Sequence, residues 1–410
     1  MSKEYKKMDV ALLHLTNKKV ILKLIKDNVQ ISRSALSKKS GLTPPTITRL
    51  VDELMHVDQL VESIGLGDSS GGRPPLIVKL KNENNYLIGI DLGATYIRGC
   101  LVDLNANFVS EMQVSTELEK GFESIVEKLV KIVEKFQKRK NPDDKIWGVG
   151  LGVAGLVNSE TGIIESSPDF GWTNIDLGKE LDKRLDLPFF YDNSTRLMAL
   201  GELNMGIREN QKNFAIINMG YGIASGLVVE GILLKGYSGF AGEFGHISVD
   251  TDSEVQCKCG MYGCLEALAS GHRITSLGKA AVENNESELL KELARGDKEL
   301  ITAELVALAA LQNDPASLKI YNDVAEYLCK GIGVISNLLN PETVYIGGGV
   351  SLNGNLLFDL IESKKNKYLL PSSAKVKILP ATHGDQATAI GAVALVLDKM
   401  MNLELTNPKN

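Results

Sequence analysis

Three of the chain's five cysteines fall inside the run Cys257-Lys-Cys259-Gly-Met-Tyr-Gly-Cys264-Leu-Glu266, and His246, preceded by a glycine, stands with ten residues between it and Cys257. This cluster constrains the fold more than any other feature, because three thiolates and one imidazole suit a closed tetrahedral zinc site. The single residue between Cys257 and Cys259 makes a local disulfide awkward, while the stretch to Cys264 contains two glycines that let the chain turn back. The alternative is a group of buried free thiols in a reducing compartment. The expectation is structural Zn2+ held by His246, Cys257, Cys259 and Cys264.

At 410 residues the chain has room for two or three domains with sizeable cores. Its hydrophobic share of 44% and charged share of 23% describe an ordinary globular protein. Met-Ser-Lys-Glu-Tyr-Lys-Lys leads into no apolar signal core, and no uninterrupted stretch approaches the length of a bilayer span. With so few cysteines outside the metal motif, a cytoplasmic protein without a membrane partner is expected. Charge is unevenly distributed. Residues 1–81 carry 14 Lys and Arg against 8 Asp and Glu, a net of +6, which leaves −12 on the remainder of a chain whose total is −6. A basic front end on an acidic body suggests that only the front end meets a polyanion.

That front end reads as a DNA-binding head. Residues 16–27 form a helix with Val20, Ile21, Leu24 and Ile25 as its apolar stripe. Ile31 to Ser40 offers a capping serine and a short helix, which Gly41 can end by taking the left-handed conformation. Thr43 is placed to cap the next helix, and Pro44 sits at its first position, where the missing N–H costs nothing. This third helix directs Ile47, Leu50, Val51 and Leu54 inward and leaves Thr46, Thr48 and Arg49 outside. The plan is a helix-turn-helix with the third helix bound for a major groove. Leu60–Ile64 and Leu76–Leu80 read as two strands of a wing, joined by a glycine-rich loop in which Arg73 precedes two prolines. Such an arginine can enter a narrow minor groove. Lys38 and Lys39 are expected on phosphates, Thr43, Thr46, Thr48 and Arg49 on bases, and Arg73 in the minor groove of double-stranded DNA. A protein-docking module is the alternative for the segment taken alone.

From Tyr86 onward strands and helices alternate in two related halves: Tyr86–Thr95 with a returning strand to Asp103, a helix at 121–138 and a buried strand ending in glycines at 147–155, then a strand at 213–218, a helix at 323–339 and the run Val344–Ser351. An α/β body of two lobes with a cleft between them is implied. The turn around Asp91, Gly93 and Thr95 resembles the first phosphate loop of the actin/hexokinase-type ATPase fold, and Gly220-Tyr-Gly222 stands at the second.

The run C-x-C-G-x-x-G-C-x-E, with Glu243-Phe-Gly-His246 before it, resembles the ROK family of bacterial sugar kinases and sugar-responsive repressors, and with the head the resemblance extends from the first helices to about Val396. It implies a winged helix-turn-helix at 1–81 and a sugar-binding body at 82–410, the small lobe being about 82–195 plus a C-terminal helix at 385–400 and the large lobe about 196–384. It also implies sugar contacts from Asn193, Glu243, His246 and Glu266, with Asp169 standing where relatives usually have asparagine. Aligning Asp192-Asn193-Ser194 with the family's Glu-Asn-Asp puts Ser194 at the position of the base that activates the sugar hydroxyl. Ala94 replaces a glycine of the first phosphate loop, and Tyr221 stands where the second usually has threonine. These losses imply a former kinase whose phosphate loops are vestigial: a repressor released from a palindromic operator by a free sugar. D-xylose is the first choice, given a lean toward the family's xylose-repressor branch, and D-glucose the next. A homodimer or tetramer is expected. The competing expectations are an active ATP-dependent sugar kinase and a DNA-bound regulator controlled by a protein partner.

Overall fold

The computed structural model describes residues 10–66, 75–138, 144–206, 211–237 and 239–403; Arg73 lies outside them. The head consists of α1 (Val10–Asp27), β1 (Ile31–Ser32), α2 (Arg33–Ser40), α3 (Pro44–His56), β2 (Val61–Leu66) and β3 (Leu76–Leu80), with the three strands in the order β1-β3-β2. Ser32 caps α2 by accepting the Ala35 N–H at 3.1 Å, and Gly41, at φ +73°, closes it. Thr43 occupies the N-cap of α3 without making a capping bond; its hydroxyl pairs with that of Thr46 at 2.9 Å. Ile47, Leu50, Val51 and Leu54 are all buried, as their helical spacing requires. In α1 the stripe differs from the expected one. Ile21, Leu22 and Ile25 are buried while Val20 is 42% exposed, because α1 packs on both α3 and the last helix of the body, and the second partner rotates the apolar face.

The body holds two five-stranded sheets built to one plan. The first has β4 (Asn85–Leu92), β5 (Tyr96–Asp103) and β6 (Phe108–Ser115) as an antiparallel meander. After α4 (Gly121–Gln137), β7 (Lys145–Val153) joins β4 in parallel. β8 (Leu156–Val157), β9 (Ile163–Ser167) and β10 (Trp172–Asp176) form a small separate sheet, followed by α5 (Leu177–Asp182) and β11 (Phe189–Asn193), which closes the order β11-β7-β4-β5-β6. Helix α6 (Ser194–Met205) leads into the second sheet. There β12 (Phe214–Met219), β13 (Ile223–Val229) and β14 (Ile232–Leu233) repeat the meander. Helices α7 (Leu265–Ala269), α8 (Gly271–Glu283), α9 (Glu288–Leu293), α10 (Ala303–Leu311) and α11 (Pro315–Leu339) come before β15 (Thr343–Gly347), and α12 (Leu356–Lys364) before β16 (Lys377–Pro380). The order is β14-β13-β12-β15-β16. Both sheets therefore place their strands 3-2-1-4-5, with crossovers between parallel neighbours.

The last helix, α13 (Ala387–Met401), lies on the first sheet so closely that glycine is required beneath it: a Cβ on Gly89 or Gly150 would stand 2.0 or 2.1 Å from the carbonyl oxygens of Ala389 and Ala392. It crosses α6 at Gly391, where a Cβ would meet the Leu197 carbonyl oxygen at 1.8 Å. Farther along, Val393, Val396, Leu397, Met400 and Met401 join one hydrophobic core with Ile21, Leu22, Ile25 and Leu54 of the head. Each such side chain contributes about 1.5–3 kcal/mol when fully buried. Among the described residues, no helix is long and apolar enough to cross a membrane.

Candidate functional site

A cluster that could hold a metal ion forms between a single 3-10 turn (Phe244–His246) and the start of α7. Bridges pairing Ser248 with Cys264 and Gln256 with Tyr262 fold the intervening segment into a hairpin. Gly263, at φ +67°, is essential to that turn, because a Cβ there would lie 1.9 Å from the Asp250 carbonyl oxygen. The ligand atoms of His246, Cys257, Cys259 and Cys264 all lie within 4.8 Å of one another. His246 Nδ1 is 3.6 Å from Cys257 Sγ, and Cys259 Sγ is 3.7 Å from Cys264 Sγ. Ligands of tetrahedral zinc stand about 3.6 Å apart for nitrogen and sulfur and about 3.8 Å for two sulfurs, so this donor set fits that ion. Burial, then the neighbouring Cys259, pushes Cys264 up to about 12, and burial also raises Cys257.

The other ring nitrogen of His246, Nε2, is 4.0 Å from Glu243 Oε2. Glu266, on the first turn of α7, accepts the Ile223 N–H through Oε2 at 2.8 Å, directly after the Gly220–Gly222 turn. A Cβ on Gly222 would come within 2.4 Å of that oxygen. Asp169, in the turn between β9 and β10, lies in the field of Glu266; burial first, and then that carboxylate, raises its pKa. Burial likewise raises Glu243, with His246 and Arg196 pulling it down. Asp169 and Glu243 thus both lie in the field of Glu266. Asn193 closes β11 and caps α6, its side-chain oxygen accepting the N–H groups of Thr195 (2.9 Å) and Arg196 (3.2 Å) and its amide donating to the Gly155 carbonyl at 2.9 Å. That leaves one amide hydrogen for a ligand. Ser194 is the buried first residue of α6.

At the two turns expected to be phosphate loops, the neighbouring groups are the protein's own side chains. Asp91 lies near the end of β4 opposite Arg98 in the register of β5, and burial pushes its carboxyl up to about 7 against the pull of that arginine. Arg98 also lies 3.6 Å from Asp385. Gly93 donates its N–H to the Tyr96 carbonyl, and Thr95 is exposed. In the second loop the Tyr221 ring packs on His272 with centroids 5.0 Å apart, and Lys258 Nζ sits 4.6 Å from the ring centroid. Lys258 is carried between two of the metal's ligands.

In the head, Thr48 and Arg49 are exposed on the outer face of α3, Thr46 is half-buried, and Lys38 and Lys39 are exposed on α2. Lys39 Nζ bonds Asn28 Oδ1 at 2.6 Å. Arg49 leans back toward α1, with Nη2 3.3 Å from His14 Nδ1, while His14 Nε2 is 2.8 Å from Glu53. Sequence reasoning missed His14, Lys258, His272 and Arg196. Lys258 alone had a visible signal, its place inside the cysteine run; the others depend on which elements meet.

The ROK family model matches residues 87–399, and a model for winged helix-turn-helix DNA-binding matches residues 15–55. The chain is 30% identical to the xylose repressor of Caldicellulosiruptor bescii over 95% of its own length and 98% of that protein's. It is 33% identical to a glucokinase of Halalkalibacterium halodurans over 79% of its length and 99% of that enzyme's. A solved ROK family transcriptional regulator, described as a homologue of the E. coli MLC protein, superposes with a TM-score of 0.81 at 29% identity, covering 96% of this chain and 99% of the other.

Proposed function

The chain belongs to the ROK family, and from that premise we propose that it is a sugar-responsive transcriptional repressor of carbohydrate-utilisation genes in which phosphotransfer has been lost. The observation that carries this reading is a helix-turn-helix head joined to a ROK body, and the motif alignment that puts Ser194 at the base position supports it. A serine hydroxyl stays protonated at neutral pH, and its neutral oxygen is far too weak a base to take a proton unaided. The neighbouring Asp192 does not replace it, being buried and ion-paired with Arg196. Similarity to the C. bescii repressor includes the head, whereas similarity to the glucokinase stops at the body.

In this reading residues 1–81 bind a palindromic operator and residues 82–410 bind a free sugar, in a cytoplasmic homodimer or a tetramer built from dimers. Two recognition helices related by a two-fold axis need two half-sites. Arg49 and the threonines Thr43, Thr46 and Thr48 meet base edges, Lys38 and Lys39 phosphates, and Arg73 the minor groove. Asn193, Glu243, His246, Glu266 and Asp169 accept or donate to adjacent sugar hydroxyls, an arrangement that rejects analogues lacking one of them. Zinc, held by His246, Cys257, Cys259 and Cys264, supplies rigidity by fixing the His246 ring. An inducer leaves unchanged when its concentration falls, which suits a site without a base. D-xylose is the effector we favour, with D-glucose second. Preference of the sugar for a closed cleft is the free energy that releases DNA; α6, which starts at the sugar site, and α13, which touches the head, offer its route.

The test is an operator titration at fixed salt, repeated with D-xylose, D-glucose and N-acetylglucosamine, beside a coupled assay for sugar phosphorylation. Release by one sugar without turnover is expected. Steady ATP-dependent phosphorylation would restore the kinase reading, which the glucokinase similarity keeps in view. Tight binding untouched by every sugar would point to a protein partner.

A further inference from the structure

The Arg196 guanidinium does something that neither the family motif nor the proposed site assigns to it. It lies on the first turn of α6, is almost fully buried, and grips the Asp192 carboxylate through two nitrogens, Nε at 2.6 Å and Nη2. Its remaining nitrogen, Nη1, donates to the carbonyl of Gly239. Asp192 lies in the last strand of the first sheet, next to its end, whereas Gly239 belongs to the segment that follows β14 and runs into Glu243. One planar cation therefore joins the first lobe to that segment. Asp192 is held in turn, since its Oδ1 also accepts the Asn193 N–H at 2.7 Å.

The segment beyond Gly239 is secured at two further points. Gly242, at φ +96°, lies so close to β13 that a Cβ would stand 2.0 Å from the Ser225 carbonyl oxygen, and its own carbonyl accepts the Ser225 N–H at 2.8 Å. Farther on, His246 belongs to the metal centre. Glu243 sits between these anchors with no hydrogen bond at the N-cap of its own turn. Its placement thus depends on what holds the chain upstream and downstream.

We propose that Arg196 is a positioning residue for Glu243: the upstream counterpart of the metal, fixing the approach of the sugar-binding segment to the first lobe. The proposal rests on the reading of Glu243 as a sugar contact. Asp192 is then the counter-ion that aims the guanidinium, and its carboxylate serves geometry rather than proton transfer. Arginine is needed because only a planar fork satisfies a carboxylate and a carbonyl in fixed directions at once; lysine presents a single charged point. The arrangement also ties sugar binding to the junction between lobes, because the segment cannot shift at Gly239 without disturbing the start of α6.

The test uses the full-length protein and the Arg196→Ala and Arg196→Lys variants. Amide hydrogen exchange over residues 239–245, metal content, operator affinity and affinity for D-xylose and D-glucose are measured, with and without millimolar methylguanidinium. In Arg196→Ala, exchange is expected to accelerate and sugar affinity to fall about tenfold, the scale of one charge-assisted hydrogen bond. Metal content and operator affinity stay unchanged, and methylguanidinium restores the sugar affinity, which a general loss of structure would not allow. If Arg196→Ala does not fold, Arg196→Lys, which keeps the charge beside Asp192 but loses the reach to Gly239, shows the same changes at smaller amplitude. Unchanged exchange in a folded variant overturns the proposal, as does a loosened segment with unchanged sugar affinity. If the wild type binds neither sugar while the variant loosens the segment, the anchoring stands and the reading of Glu243 as a sugar contact falls.

Discussion

Replacing Gly391 by alanine sets two effects of opposite sign against each other. Alanine favours a helix interior by about 1 kcal/mol over glycine, so on propensity alone Gly391→Ala stabilises α13. Its Cβ, however, would stand 1.8 Å from the Leu197 carbonyl oxygen and 2.2 Å from its carbonyl carbon. Ordinary contact needs about 3.4 Å, so α6 and α13 would have to part by roughly 1.5 Å, and the opposing atoms are backbone, which no rotamer change can move aside. Overpacking of this kind costs about 1–3 kcal/mol where side chains can yield, and more where they cannot. The clash therefore wins, leaving a net loss of about 2 kcal/mol, or a roughly thirtyfold larger unfolding constant. Both tryptophans, Trp147 and Trp172, lie in the lobe whose sheet supports α13, so urea unfolding followed by their fluorescence reads this lobe directly. A lower midpoint for Gly391→Ala is expected. An unchanged or higher midpoint would refute the claim that the two helices meet backbone to backbone.

Three other outcomes follow from the sites. Cys264→Ser should lose the metal and weaken sugar affinity about tenfold, in line with the cost of disturbing the groups around a metal site, while leaving operator affinity intact; metal analysis with calorimetry checks this, and full sugar affinity in metal-free protein would contradict it. Arg49→Ala should cost about 1–3 kcal/mol at one base pair and relax selectivity there, as read from a set of singly substituted operators. Asp91 titrates near 7 in the fold, well above its ordinary value of 3.8, so the folded state holds a proton that the unfolded state gives up between about pH 4 and pH 7. Stability conferred by this site falls as pH rises through that window, and Asp91→Asn should stabilise the protein more at pH 8 than at pH 4; equal gains at both would show that the carboxyl is not the cause.

The clustering of His246, Cys257, Cys259 and Cys264 was the most legible part of the chain, because ligand type and spacing are local properties and the four donors meet through one short hairpin. The third helix of the head was equally plain, since Ile47, Leu50, Val51 and Leu54 repeat at helical spacing and all turn inward. Helix α1 was misread by one face: its periodicity admits more than one stripe, and the contact that favours Leu22 over Val20 comes from α13, hundreds of residues away. The helix itself extends further, from Val10 rather than residue 16, and α11 begins at Pro315 rather than 323, with Asp314 capping it through the Ser317 N–H. Arg196 was invisible for another reason. Asp192 lies four positions earlier but in a strand, so no helical pairing rule links them, and Gly239, 43 residues on, is reached only through the tertiary fold.

The shared core of the head and α13 bears on the order in which the protein can become active. During synthesis the head emerges long before Ala387–Met401, yet the side chains of α13 complete the apolar cover over Ile21, Leu22 and Ile25. A ribosome-bound chain therefore carries a recognition helix on an unfinished support, and a prematurely ended chain keeps apolar surface that proteases and chaperones recognise. Chains stopped before Ala387 should be cut readily within α1 and bind operator poorly, a result that a fully independent head would reverse. If that holds, the core shared by the first domain and the last helix makes completion of the chain a condition for occupying DNA, and fragments that cannot respond to an effector would also not hold the genes shut.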